Sequence, residues 1–411
     1  MRLETLLVHG AEPGPGDNVG TPTLPPVQYS TAFYHETAES LEQAFKGVGD
    51  TVYYSRMRNP TVQALEQRMA QACRAPSAVA TTTGMAAIST TLMAMLKTGD
   101  ELIAGPHLFG GSYALFTKTL VDFGITVRFA DPTDVGSVAA LINDKTRGVY
   151  VEAIANPQMT VPDFPGLKAL CAEHGLPLLV DATLLTPVLL DSERIGADMV
   201  FFSATKYLAG AASVVAGMAV DTGRYPWHDN PRIDLGDLKA QGQGALIAKI
   251  RKQMFGSMGP SLSAMNAFML MAGMESLPLR LERMSENALK IAAFLDGHPK
   301  VDSVLFPGLP AHPYHGRCKD LFGGFGTILT FNLKDKATCF RMQNALRIVR
   351  RATNLGDTRS LAIHPASTIY GTLFPHQLAE VGVTEQMIRL SVGIEHVDDL
   401  IADLDQALEA V

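Results

Sequence analysis

Residues 176–206 read LPLLVDATLLTPVLLDSERIGADMVFFSATK, and their pattern decides the fold. Two short apolar runs, Pro177–Val180 and Met199–Ser203, are hydrophobic without alternation. That is the mark of strands buried on both faces of a parallel sheet. The whole run Leu176–Leu190 is interrupted by Asp181, Pro177 and Pro187 and is shorter than the ~20 residues of a membrane-spanning helix. The apolar excess behind the mean hydropathy of +0.12 therefore belongs to buried strands. Working outward, strand patterns at Ala78–Thr81, Glu101–Ala104, Thr126–Ala130 and Gly148–Ala153 alternate with helical patterns at 61–73, 84–96, Ser112–Phe123, Val135–Ile142 and Pro165–His174. Strands separated by helical stretches predict βαβ units and an α/β fold with a mainly parallel sheet.

Outside this block the chain changes character. Residues 1–58 lack sustained periodicity and are punctuated by Pro13, Pro15, Pro22, Pro25 and Pro26, which predicts an extended arm that must pack on something to be ordered. Asn59-Pro60 then opens a helix, with an Asn cap and proline at the first helical position. Residues 221–260 are polar and Gly-rich and predict a long surface loop. A long helical segment from residue 261, a strand at Thr327–Leu333 and a final amphipathic helix over 394–411 form a smaller C-terminal unit. The expected division is an arm (1–58), a large domain (59–262) and a small α/β domain (263–411).

Composition narrows the function classes. The 411 residues carry 34 Lys+Arg against 41 Asp+Glu, a net charge of −7 without a long basic run. This argues against nucleic acid or an anionic membrane as a partner. Cys73, Cys171, Cys318 and Cys339 are widely spaced and form no CxxC, so a disulfide framework is not expected and a reducing, cytoplasmic compartment is. The start predicts no signal peptide. The histidines show no metal-ligand spacing, and no metal is expected.

Open α/β sheets bind ligands at the carboxyl ends of their strands. Four features stand there: Thr83-Gly84-Met85, Glu152–Asn156, Asp181, and Ser203-Ala204-Thr205-Lys206. Lys206 can form a Schiff base with an aldehyde. Asp181 closes a buried strand and needs a cationic or donor partner, which a protonated pyridine nitrogen supplies. Ser203 and Thr205 can donate to a phosphate, and the helix opened by Gly84 and Met85 offers free amides to it. Together they describe a pyridoxal 5′-phosphate site.

The runs VYYSRMRNPT (52–61), TTTGMAAI (81–88), YVEAIANPQ (150–158), LLVDATLLTP (178–187), FFSATKYLAG (201–210), NLGDTRSLAIHPAS (354–367) and IRLSVGIEHVDDL (388–400) resemble the Cys/Met-metabolism family of pyridoxal-phosphate enzymes. The family includes cystathionine γ-synthase, cystathionine and methionine γ-lyases and O-acylhomoserine sulfhydrylases. The resemblance implies a fold of the aspartate-aminotransferase type and a homotetramer built from dimers. It implies that Tyr54 and Arg56 bind the neighbouring subunit's cofactor phosphate, beside Gly84, Met85, Ser203 and Thr205 of the chain's own site. It further implies that Asp181 partners the pyridinium, that Lys206 is the Schiff-base lysine and proton shuttle, that Arg389 clamps the substrate α-carboxylate, and that Asn156 lies beside it.

Where the chain departs from the family pattern, substrate choice is at stake. Phe109, in His107–Gly111, stands where a tyrosine commonly stacks on the cofactor ring. Stacking is kept and the hydroxyl is lost. A basic thiolate leaves more easily with a proton donor, whereas a carboxylate needs one less. Phe109 therefore favours γ-replacement on an O-acylated homoserine, O-acetyl or O-succinyl, by sulfide or a thiol. The alternative is a γ-lyase that releases α-keto acid, ammonia and a thiol from methionine or cystathionine. Asn354 replaces a serine usual in lyases and bears on the carboxylate pocket. Gly111 lacks the cysteine of methionine γ-lyases. Ser367–Gly371 lacks a histidine that often follows HPAS. The polar loop over 221–235 is sulfhydrylase-like.

Overall fold

The strands expected between 77 and 203 join one sheet in the computed structural model of the chain, which describes residues 1–10, 23–47 and 51–411. Its members are β1 (Ser77–Thr81), β2 (Glu101–Ala104), β3 (Thr126–Phe129), β4 (Thr146–Glu152), β5 (Leu178–Asp181), β6 (Met199–Phe202) and β7 (Gly217–Asp221). Their order is β1-β7-β6-β5-β4-β2-β3. All neighbours are parallel except at β7, which runs antiparallel to β1 and β6. The doubly buried character of the central strands is complete, since Leu178, Leu179, Val180, Met199 and Val200 are fully enclosed. Each such side chain contributes roughly 1.5–3 kcal/mol through burial.

A second, smaller sheet holds β8 (Ser303–Leu305), β9 (Ile328–Asn332), β10 (Arg350–Arg351), β11 (Leu361–Ile363) and β12 (Met387–Ser391), in the order β10-β11-β12-β9-β8. It is antiparallel apart from β10 beside β11. The helix Leu277–Asp296 links the two layers. Leu277, Leu281 and Met284 lie in the core under the large sheet, and Ile291 and Leu295 lie in the core of the small one. The preceding helix, Ala264–Glu275, also packs on the large sheet through Ala267, Leu270 and Met274. A boundary at 262 thus falls ahead of about two helical stretches that bury their apolar faces against the first core.

Three expectations need correction. The segment 221–260 is not a surface loop throughout. Trp227, Ile233 and Leu235 are buried, and residues 245–258 are helical, with Leu246, Ile250 and Met254 spaced four apart into the core. The few apolar anchors are diluted by glycine and charge, which hid the helical period. Strand β7 was not anticipated, because its GMAVD is short and begins with glycine. The arm is not wholly extended: Leu3–His9 and Ala38–Lys46 are helices, the second with a Thr37/Ser40 capping box. Pro13, Pro15 and Pro22 lie outside the described residues.

Among the described residues no helix is long and apolar enough to cross a membrane. All four cysteines are free.

Candidate active site

Strand ends deliver the site. Glu152 closes β4 and Asp181 closes β5, and the register sets them side by side on parallel neighbours. Next along the sheet, β6 runs out into Ser203 and Lys206. Across from it, Thr83 caps the helix Gly84–Met95 by accepting from Ala86 N at 2.8 Å, and Gly84 opens that helix against Ser203. A Cβ on Gly84 would lie 2.8 Å from Ser203 Cβ, so only glycine lets this helix start meet the β6 end. The small sheet contributes Arg389 from the middle of β12, between β9 and β11.

One cavity is lined by Gly84, Met85, Phe109, Asn156, Asp181, Ser203, Lys206, Asn354 and Arg389, nine of the residues singled out from sequence. Thr205 does not line it: its hydroxyl donates to Ala216 O at 3.1 Å and accepts from Ala216 N at 3.0 Å. Tyr54 and Arg56 do not line it either. Tyr54 is 38% exposed, and Arg56 lies over its ring and donates to Gly256 O at 2.6 Å.

The cationic groups are tightly placed. Lys206 Nζ donates to Asn354 Oδ1 at 2.7 Å. Arg389, only 2% exposed, donates from Nη2 to Asn354 O at 2.8 Å and from Nη1 to Asn156 Oδ1 at 3.4 Å. Burial, reinforced by the Arg389 charge, lowers the Lys206 amine to about 8. Burial likewise lowers Arg389 to about 10, still charged at neutral pH.

The anionic side is a carboxylate pair, Glu152 buried and Asp181 partly exposed at the cavity wall. Burial raises Asp181, against hydrogen bonds from Thr183 that hold it down. Burial and then the Asp181 charge push Glu152 well above the usual carboxylate range. Two such groups on adjacent strands carry one negative charge far more readily than two. Sequence reading pointed to the 152–156 segment without giving Glu152 a role. Its carboxylate accepts from Phe109 N at 2.6 Å and Asn156 N at 3.2 Å. Thr183 was also missed. Its hydroxyl accepts from Ser203 N at 2.8 Å, and its place two residues after Asp181 was the available signal.

These residues fit a pyridoxal phosphate. The Asp181 carboxylate lies at the cavity wall with no ion-pair partner among the described residues, as a pyridinium partner must. The Gly84 helix start and Ser203 meet in a cradle that a side chain would fill. Arg389 Nε is fully buried with no partner, a donor left over for a carboxylate.

A two-layer α/β fold with lysine, aspartate and a phosphate cradle at adjoining strand ends defines a pyridoxal-phosphate enzyme. The chain belongs to the Cys/Met metabolism PLP-dependent enzyme family, whose model matches residues 4–409. It is 38% identical to O-acetyl-L-homoserine sulfhydrylase 1 of Thermus thermophilus, over 99% of this chain and 100% of that relative. Its structure is similar to that of a Campylobacter jejuni protein assigned as an O-acetylhomoserine (thiol)-lyase, which carries N′-pyridoxyl-lysine-5′-monophosphate. There the TM-score is 0.95 and the identity 31%, with 100% of both chains covered. It is also similar to cystathionine γ-lyase of Lactobacillus plantarum, solved with L-serine, with a TM-score of 0.87, an identity of 29% and coverage of 100% of this chain and 99% of that one.

The lowered amine has a consequence for cofactor loading. Only neutral Lys206 is a nucleophile, so uptake of pyridoxal phosphate by the cofactor-free protein should quicken as pH rises through about 8. Growth of the visible absorbance band reports it. A rate that stays flat from about pH 7 to about pH 9 would contradict the lowered amine.

Proposed function

We propose that the protein catalyses γ-replacement on O-acetyl-L-homoserine, exchanging the acetoxy group for sulfide or a thiol and releasing acetate with homocysteine or a thioether amino acid. The full-length likeness to an O-acetyl-L-homoserine sulfhydrylase supports the substrate. Among the described residues the cations lining the cavity are Lys206 and Arg389, and both are committed to other tasks. That favours an uncharged acyl group over succinyl, whose second carboxylate would need its own partner.

When bound, pyridoxal phosphate supplies the electron sink for charge developing at the substrate's Cα and Cβ. Lys206 would hold its aldehyde, Asp181 its ring nitrogen, and Ser203 with the Gly84 and Met85 amides its phosphate. Arg389 and Asn156 hold the substrate α-carboxylate, which orients the Cα–H bond toward Lys206. Near pH 8 the Lys206 amine exchanges protons in both directions, so it can take the proton from Cα and return it. Asn354 steadies both cations, through its side chain and its carbonyl.

Phe109 carries the choice of replacement over elimination. It lines the cavity, half-exposed, and offers no proton to a departing group. Acetate leaves well without one, and a thiolate does not. Phe109→Tyr is expected to raise keto-acid release from methionine or cystathionine by roughly 10-fold or more, a part of the about 10²- to 10⁴-fold that a fully positioned general acid supplies. Unchanged keto-acid output would remove the leaving-group argument.

The deciding assay for the function compares two mixtures. Homocysteine from O-acetyl-L-homoserine plus sulfide, with little keto acid from methionine alone, is the expected result. Keto acid from the second and no homocysteine from the first would make the protein a γ-lyase.

The same proposal includes a cytoplasmic homotetramer in which Tyr54 and Arg56 complete the phosphate site of a neighbouring subunit. Their position outside the chain's own cavity supports it, as does an arm whose Tyr29 and Tyr34 stand exposed.

A further inference from the structure

We infer that Tyr370 is a positioning residue that locks the Phe109 and Asn156 segments in register from the small-sheet side. Tyr370 follows β11, in the Ser367–Gly371 stretch that departs from the family pattern after HPAS. Its ring is 1% exposed and packs with Ala366, Val381 and Val383. Its hydroxyl donates to Leu108 O at 2.6 Å, with Asn156 O at 3.1 Å as a second acceptor. From the large sheet, Glu152 accepts from Phe109 N and Asn156 N.

These four contacts have a specific effect. Leu108 C=O and Phe109 N–H belong to one peptide group, so that plane is gripped at both ends and the origin of the Phe109 side chain is set. At Asn156 the N–H and C=O belong to the two flanking peptide groups, so the backbone on each side is pinned. The Asn156 amide that meets Arg389 is thereby aimed. A side chain at Gly110 would strike the Ile369 carbonyl, so the glycine lets the two segments close on each other. Burial raises the Tyr370 phenol, which stays a donor throughout the working pH range. Phenylalanine would fill the same space and make neither contact.

The inference rests on the proposed role of Asn156 and Arg389 as the carboxylate site, and the test separates the two. In the holoenzyme, Tyr370→Phe should raise KM for O-acetyl-L-homoserine about 5- to 30-fold with a smaller change in kcat, the effect of one buried hydrogen bond. Amide exchange in the peptide around Phe109 should quicken, and the circular dichroism of the cofactor band should shift. In an Asn156→Ala background the same substitution should change KM clearly less than it does in the wild type, since the share that passes through the Asn156 amide is already lost. An unchanged KM and unchanged exchange in Tyr370→Phe overturn the inference. So does a lowered melting temperature with KM untouched, which would make the tyrosine merely structural. If Asn156→Ala alone leaves KM unchanged, the carboxylate role falls, and amide exchange then decides the clamp by itself.

Discussion

Lys206→Ala is expected to abolish homocysteine formation, lowering kcat by roughly 10⁴-fold or more, and to remove the visible absorbance of the lysine-bound cofactor. The size follows from the residue's two tasks. It is the only amine lining the cavity among the described residues, so nothing there replaces it as the anchor of an aldehyde. Its lowered basicity also lets the amine give up a proton, and take one back, near neutral pH. The fold should survive, because the side chain points into a cavity and its contact there is to Asn354. Far-ultraviolet circular dichroism should match the wild type while activity is gone. Retention of more than about a tenth of wild-type activity would show that another group does the work.

Arg389→Ala should lower kcat/KM for O-acetyl-L-homoserine by about 10²- to 10⁴-fold, mostly through KM. The guanidinium is buried, held in plane by Asn354 O and Asn156 Oδ1, and keeps an unpartnered Nε. Truncating one member of a buried charged pair costs about 2–5 kcal/mol, because the carboxylate is then left desolvated without its partner. Arg389→Lys should recover little of the loss, since a lysine keeps the charge and not the fork. An Arg389→Ala enzyme with unchanged KM would place the carboxylate elsewhere. A melting curve belongs beside the kinetics, because the residue lies inside β12 and its removal leaves a void.

The legibility of the site in sequence depended on chain distance. Asp181 and Lys206 could be read because each stands at the end of a short apolar run, and a strand end is visible locally. Gly84 and Met85 were visible as a helix start after a strand. Arg389 was recognised only through family motifs, since an arginine within IRLSVG has no local sign of a carboxylate partner. Thr205 was read with the phosphate donors from its place just after β6, and its hydroxyl bonds to Ala216, eleven residues away, were not legible there. Glu152 and Tyr370 remained without a role because their contacts reach residues 43 and 262 positions distant. The helix over 245–258 was hidden because its buried face is diluted by polar neighbours.

By itself the amino-acid order determined the alternation of strand and helix, the doubly buried sheet and the cofactor-bearing strand ends. Hydrophobic period and turn chemistry act over a few residues, and they leave their mark in any short window. Only the tertiary structure decided which strand lies beside which. The parallel register sets Asp181 against Glu152, and the small-sheet side brings Arg389 onto Asn156 and Tyr370 onto Leu108 and Asn156. The first pairing joins neighbouring strands of one sheet and the others join the small sheet's side to the large one, and a contact between distant segments has no signature in the sequence until burial and register put its partners within hydrogen-bonding reach.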